Sequence, residues 1–309
     1  VLKQGHTGPT ANAAWLGLLR DVYDWGAEVK PRGLTCREIL ANTSVVDMNH
    51  PIVTARPKLG YKFLTAEAWW ILTGRNDVES IKPYSPHIAS FSNDGVRFDG
   101  AYGPRIIDQL RFIVDTLEGD WESRQAVLEI WRPNPRPSKD IPCTVSVQWM
   151  VRRHVDGAGL ETFRLHCFDT MRSSDTWLGW PYDVFNFSML SAYVALMLRD
   201  RVRARNKDHA AYELVRPLEN LRLGSLHLTA ASQHLYVHPK QDGATNIPYS
   251  LDDVANALAG DTHKPASYSP VNLDEYEKAS DLLLHLSYCK DGEGRLTGFL
   301  SEFQGARRV

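Results

Sequence analysis

From residue 184 to residue 198 the chain reads Val-Phe-Asn-Phe-Ser-Met-Leu-Ser-Ala-Tyr-Val-Ala-Leu-Met-Leu, with no charged side chain. Such a stretch predicts a long helix, Val184 to Leu198, with no face suited to water and so buried on most sides. It is too short to span a bilayer, so its cover must be protein. The segments around it can supply that cover. Thr144 to Arg152 alternates Val145, Val147 and Trp149 with Ser146 and Gln148, the period of a strand. Phe163 to Phe168, Ala126 to Trp131 and Leu221 to Tyr236 are further strand candidates. The Pro-rich run Arg132 to Pro137 cannot lie inside a sheet, because proline lacks the N–H a ladder needs.

Helical spacing predicts helices at Ala11 to Tyr23 (stopped at Gly26), Thr65 to Leu72 (stopped at Gly74), Ile106 to Leu117 and Leu273 to Leu286. Ile52 to Thr54 is a short strand candidate, and Ser85 to Gly103 reads as loop. Strands and helices alternate with no linker between them. The expectation is one α/β or α+β domain over residues 1–309. With 35 basic and 37 acidic residues there is no field for nucleic acid. No apolar run is long enough to cross a membrane. The four cysteines, Cys36, Cys143, Cys167 and Cys289, are scattered, so neither zinc nor a disulfide framework is expected and a cytoplasmic setting is. Val1 to His6 shows no signal-peptide pattern and no Met, which predicts a start that is missing or processed.

Cys143 follows a proline, and thirty residues on comes Arg172-Ser173-Ser174-Asp175-Thr176-Trp177-Leu178-Gly179-Trp180-Pro181-Tyr182-Asp183. A lone cysteine is more often a buried structural thiol than a nucleophile. A nearby cation favours the reactive thiolate. Arg172 can be that cation if the strands after Cys143 and before Arg172 pair as a hairpin.

The Pro-Cys and the Arg-Ser-x-Asp-x-x-Leu-Gly-x-Pro run resemble the nucleotide site of the thymidylate synthase family. Other pieces stand in that family's order: Gly26 with Arg32, Pro51-Ile52-Val53-Thr54, Glu67-Ala68-Trp69-Trp70-Ile71-Leu72-Thr73-Gly74, Ala101-Tyr102-Gly103, Asp108-Gln109-Leu110, Ser123-Arg124 and Gln233-His234-Leu235-Tyr236. The resemblance covers residues 22–240 and fades after 245. It implies a large twisted mixed sheet flanked by helices and a homodimer packed sheet to sheet, with shared active sites. It also implies a pyrimidine nucleoside monophosphate and 5,10-methylenetetrahydrofolate as substrates. Cys143 would add to pyrimidine C6, making C5 nucleophilic. Arg32, Arg172, Ser173 and, from the second subunit, Arg124 would hold phosphate. Glu67 would relay protons, and Tyr102 would act near C5. His234 and Tyr236 would touch the sugar. Asp175, Leu178, Gly179 and Tyr182 would face the folate.

The departures carry as much information as the matches. Asp183 stands where the uracil-specific synthases have Asn. A carboxamide offers uracil one acceptor and one donor, whereas a carboxylate only accepts and suits cytosine protonated at N3. Lys82 to Ile88 lacks the family's Trp, and Gln304 to Val309 lacks its apolar tail, so water should reach the site. Met171, Thr144 and Gln125 replace a Gln, a His and an Arg. These features resemble the cytidylate 5-hydroxymethylase branch. The expectation is a (deoxy)cytidylate 5-hydroxymethyltransferase, with dCMP favoured and CMP possible. A C5 methylase of dCMP or dUMP is the nearest alternative, and a non-catalytic nucleotide- or RNA-binding relative a remote one.

Overall fold

The computed structural model describes residues 7–8, 10–133, 137–205, 210–237, 249–260 and 268–291. Its elements, in chain order, are β1 (Thr7–Gly8), α1 (Ala11–Trp25), β2 (Ala27–Val29), β3 (Cys36–Asp47), α2 (Tyr61–Leu72), α3 (Val78–Ile81), α4 (Tyr102–Gly119), β4 (Val127–Glu129), β5 (Thr144–Val155), β6 (Glu161–Met171), β7 (Ser174–Asp175), α5 (Trp180–Arg203), α6 (Ala210–Val215), β8 (Arg222–Tyr236), α7 (Leu251–Ala259) and α8 (Ala279–Asp291). The sheet runs β1-β3-β8-β6-β5-β4, with β2 beside β3 and β7 beside β8. It is mixed: β3 and β8, β5 and β6, and β4 and β5 are antiparallel, whereas β6 and β8 are parallel. The expected large mixed sheet flanked by helices is therefore present.

The uncharged run behaves as its composition dictates. It extends to 24 residues as α5, with Val184, Phe185, Phe187, Met189, Leu190, Val194 and Leu198 buried. Each such side chain contributes roughly 1.5–3 kcal/mol by leaving water. One face of the sheet meets this helix: Val147, Trp149, Val151, Leu165, Cys167, Leu226 and Leu228 are buried. Two tryptophans tie the layers by donating to buried acceptors. Trp149 Nε1 reaches Ser191 Oγ on α5 at 3.0 Å, and Trp15 Nε1 on α1 reaches the Thr176 carbonyl at 2.8 Å. The opposite face is half-open and carries Met150, His166, Phe168 and His227, the last two stacked at 4.6 Å.

Three expectations need correction. Ile52–Thr54 is not a strand. The N–H of Ile52 donates to the Tyr268 hydroxyl at 2.8 Å, its carbonyl accepts from that hydroxyl at 3.2 Å, and the Ala55 N–H donates to Asn12 Oδ1 at 2.8 Å, so side chains take up polar groups that a ladder would use. The strand lies earlier, as β3, where Ala41 at φ 53 breaks the alternation that would have revealed it. The helix expected from Leu273 to Leu286 is a 3-10 turn, Leu273–Glu275, then α8 from Ala279. Ser85–Gly103 is not all loop: it contains a 3-10 turn, Pro86–Phe91, and the start of α4 at Tyr102.

Candidate active site

Strands β5 and β6 form the expected hairpin. Thr144 pairs with Met171, and one residue beyond, the Arg172 N–H donates to the Cys143 carbonyl at 2.8 Å. The Arg172 guanidinium then grips the loop before the thiol. Nε donates to the Pro142 carbonyl at 2.8 Å, Nη2 to the Ile141 carbonyl at 3.0 Å, and Nη2 stands 3.8 Å from Cys143 Sγ. The cation is in place, yet it does not make a resting thiolate. Burial pushes the Cys143 thiol up to about 11, and Asp183, Asp175 and Asp140 push the same way, while Arg172 alone pulls it down. Arg172 acts in the direction the sequence reading gave it, toward thiolate, but burial is the larger influence on Cys143.

Tyr102, the first residue of α4, accepts from the backbone N–H groups of Cys143 at 3.2 Å and Thr144 at 3.1 Å. Burial, then Cys143 and Asp183, hold its phenol well above the usual range, so its own proton is retained for donation. Glu67 of α2 accepts from Asn186 Nδ2 of α5 at 2.8 Å. Burial raises it to about 7, and the Asn186 bond only partly offsets that. A carboxyl poised there can hold or release a proton near neutrality. Asp183 sits in the first turn of α5, its N–H donating to the Gly179 carbonyl. Burial, then Glu67 and Asp175, push its carboxyl well up. Glu67, Tyr102 and Asp183 border one cavity of about 180 Å³.

The sugar and phosphate candidates lie beyond the thiol. Ser173 Oγ is 3.5 Å from His234 Nδ1, and the His234 ring meets Tyr236 edge-on at 5.1 Å. Arg32 makes a side-chain hydrogen bond with Tyr236. Its backbone is left-handed, φ 55, inside the 3-10 turn Pro31–Gly33. Asp175 accepts from the Trp177 N–H at 2.8 Å and the Leu178 N–H at 2.7 Å, which folds the turn carrying Leu178 and Gly179. The Tyr182 hydroxyl accepts from Gly60 N–H at 3.2 Å, and its ring meets Phe63 at 5.1 Å. Arg124 is not gathered into this group. It is exposed before the edge strand β4, where its carbonyl accepts from Gln148.

Sequence reasoning missed four residues: Asn186, the donor to Glu67, and Arg56, Asp169 and Asp140. Arg56 is buried, lies over the rings of Tyr182 at 5.3 Å and Trp177 at 5.9 Å, and leaves Nε and Nη1 without a partner among the described residues. A buried guanidinium with idle donors suits an anionic ligand. Asp169 of β6 is 1% exposed with neither carboxyl oxygen partnered among the described residues, and burial drives it well up. Thr144 Oγ1 faces Asp169 without a hydrogen bond of good geometry. Asp140 borders the same cavity as Glu67. The only sequence signal was a carboxylate three residues before the nucleophile. Ile88 and Phe91 form an apolar part of the cavity wall, in the region where the family's Trp was missing. The tail Gln304 to Val309 lies outside the described residues.

No helix among the described residues is long and apolar enough to cross a membrane, and no group of three or more His, Cys, Asp or Glu among them is placed to hold a metal. The thymidylate synthase family model matches residues 13–242. Over 142 residues, 43% of this chain, the sequence is 34% identical to a deoxyuridylate hydroxymethyltransferase of Pseudomonas phage M6, and over 169 residues it is 28% identical to one of Bacillus phage SP01. These matches span 38% and 44% of the phage proteins. A thymidylate synthase of Bacillus atrophaeus is 26% identical over 159 residues, 66% of its length. With a family match over most of its length and the family's motifs gathered around Cys143, the chain belongs to the thymidylate synthase family.

Proposed function

We propose that this protein transfers a one-carbon unit to C5 of a cytidine monophosphate, dCMP before CMP, and releases it as hydroxymethyl. The observation that carries the base assignment is Asp183, a carboxyl at the cavity within electrostatic reach of Cys143 and Tyr102. Cytosine and a carboxyl group share one proton between N3 and oxygen while N4–H donates to the second oxygen. Both hydrogen bonds survive wherever that proton sits. The raised Asp183 carboxyl brings the proton with it. As Cys143 Sγ adds to C6, the proton moves onto N3 and the electron-poor ring accepts the sulfur.

Each residue has a part in this reading. The phosphate lies against Arg32, Arg172 and Ser173, with Arg124 reaching in from the second subunit of a homodimer packed through the half-open sheet face. His234 and Tyr236 hold the 3′-hydroxyl, a deoxynucleotide-like arrangement that favours dCMP. Glu67, poised about 7, takes and returns protons at the base. The Tyr102 hydroxyl, fixed by two N–H donors, orients the water that removes the C5 proton. Methylenetetrahydrofolate supplies the one-carbon unit at the oxidation level of formaldehyde. The chain fits it: Arg56 offers buried idle donors over the half-buried ring of Tyr182.

Deoxyuridylate is the second reading, favoured by the names of the phage relatives. A neutral Asp183 also supports it, because a protonated carboxyl has one acceptor and one donor, as uracil requires. One assay tests both. The protein is incubated with methylenetetrahydrofolate and each of CMP, dCMP, UMP and dUMP, and products are weighed. The expected result is a gain of CH₂O on a cytidine nucleotide with tetrahydrofolate released. Preference for dUMP overturns the base assignment, and dihydrofolate with a methyl product overturns the hydroxymethyl assignment.

A further inference from the structure

The cavity beside the nucleophile has a polar floor that the steps above do not use. Asn186 is 6% exposed and spends its amide N–H on Glu67, while its Oδ1 is buried and has no partner among the described residues. A buried, idle acceptor bordering a cavity calls for a donor within it. About 180 Å³ is ample for water. Asp140 borders the same space from the loop before Cys143. It is anchored through Oδ2, which accepts from the Gly100 N–H at 2.7 Å. Gly100 makes that approach possible, because a Cβ there would lie 2.9 Å from the Asp140 carboxyl carbon and 2.6 Å from its backbone oxygen. The carboxylate is thus held in place by backbone, on the wall it shares with Tyr102 and Glu67.

We propose that this cavity seats the water that adds to the exocyclic methylene, held by Asn186 Oδ1, and that Asp140 is the catalytic base that takes its proton. This rests on the hydroxymethyl reading. Once tetrahydrofolate has left, the base carries a C5=CH₂ group and remains bonded to Cys143 through C6. The water oxygen bonds to the CH₂ carbon as its proton passes to Asp140. The π electrons of C5=CH₂ shift into the ring, and their return as C5=C6 expels Cys143 as thiolate. The proton on Asp140 then restores the thiol. Nothing is oxidised or reduced in these steps, and the only co-reactant is water.

Asp140 is suited to the task. Burial raises its carboxyl above the usual range, and Gly100 and Arg105 hold it partly down, so it is more basic than a free aspartate. The groups facing it are Arg105 from α4, Asp99 from the adjoining loop and the Cys143 thiol.

The test uses Asp140→Asn and Asp140→Glu in the full chain, with the nucleotide found best by mass. Tritium release from C5 reports every step up to the methylene, and hydroxymethyl product reports hydration. In Asp140→Asn, tritium release measured in a single turnover should stay within a few-fold of wild type while hydroxymethyl product falls at least about 100-fold. An added small thiol, which can attack as its own thiolate, should trap the methylene as a thioether. Asp140→Glu should recover part of the hydration, and the fall of hydration at acid pH should be absent from Asp140→Asn. Equal hydroxymethyl yield from Asp140→Asn and wild type overturns the proposal. So does a parallel loss of tritium release and product, which would place Asp140 before the hydration step or in folding. A methyl product with dihydrofolate from the wild type instead overturns the hydroxymethyl reading itself, whatever the Asp140 variants do.

Discussion

Replacing Asp183 by Asn isolates the proton that the proposed base reading depends on. A carboxamide can turn either way, so it pairs with uracil through N3–H and O4 and equally with neutral cytosine through N3 and N4–H. It cannot hold N3-protonated cytosine, because its N–H would then face another donor. The ground-state complex should survive, and the loss should fall on the step in which Cys143 adds to C6. Asp183 stands among protein groups, with Glu67 and Asp175 as its charged neighbours, so its interactions are poorly screened. Removing one member of a desolvated charged pair costs about 2–5 kcal/mol. That is about 30- to 4000-fold in rate. For Asp183→Asn the kcat on the cytidine substrate should fall within that range while its Kd changes several-fold at most. Turnover of the matching uridine nucleotide should rise, and sugar preference should stay as it was. The assay is steady-state kinetics with all four nucleotides, plus calorimetric Kd values. A wild type that already prefers dUMP, or a variant with the same cytosine preference, refutes the reasoning.

Cys143→Ser should end turnover and C5 tritium release while nucleotide affinity persists, because no phosphate or base contact is removed; retained C5 exchange would exclude Cys143 as the attacking atom. If Arg124 serves a second subunit, Arg124→Ala and Cys143→Ser should each be inactive but recover up to about a quarter of wild-type activity when subunits are exchanged, and no recovery after verified exchange counts against a shared site. Arg56→Met should raise the KM for methylenetetrahydrofolate by about 10-fold or more, the worth of charge-assisted hydrogen bonds, with little change for nucleotide; an unchanged folate KM places its idle donors elsewhere. His166 accepts from the Ser225 N–H through Nδ1 at 3.1 Å, and burial, then His227, Arg164, Arg152 and His154, depress it from 6.5 to about 4. The unfolded chain therefore takes up the proton first, and stability present above about pH 6.5 should be lost as pH falls toward 4, by at most ~1.4 kcal/mol per pH unit. His166→Gln should flatten that part of a Tm-against-pH curve, and an unchanged slope would reject the assignment.

What the sequence revealed of the fold was what local periodicity encodes. The apolar run of α5 and the alternation in β5 announced themselves, because each buries a whole face or a whole circumference. Strand β3 did not, because Ala41 interrupts its pattern and half of its residues are only partly buried. Ile52–Thr54 misled because β-branched residues fit any buried extended segment, and here two side chains, Tyr268 and Asn12, supply its hydrogen bonds from far along the chain. At the site, residues carried in runs were legible: Pro142-Cys143, the Arg172 to Asp183 run and the His234 to Tyr236 strand. Asp140, Asp169, Arg56 and Asn186 were not, since each is a single polar residue whose meaning comes from neighbours brought in by tertiary packing. The state of the thiol was also beyond the sequence. Hairpin pairing put Arg172 beside Cys143 as expected, but how far burial and three carboxyl groups outweigh one guanidinium depends on packing that the sequence alone does not display.

That imbalance gives the site its polarity. At one end stand Arg32 and Arg172 with Ser173 and His234, which suit a phosphate and a sugar. At the other stand Glu67, Asp169 and Asp183, each pushed up by burial, so this end favours holding protons over negative charge. A nucleotide entering such a field is oriented with its phosphate toward the cations and its base toward the acids. Among pyrimidines, cytosine carries a basic N3 that gains from a neighbouring acid, while uracil's N3–H and O4 can pair with the carbonyl and hydroxyl of the same protonated carboxyl. Burial, the largest cause of the raised Cys143 thiol, makes it a poor resting nucleophile, and in the proposed reading a proton passed to cytosine N3 makes the ring a better electrophile. In the proposed cytidine reading, activation moves from the attacking sulfur to the ring it attacks.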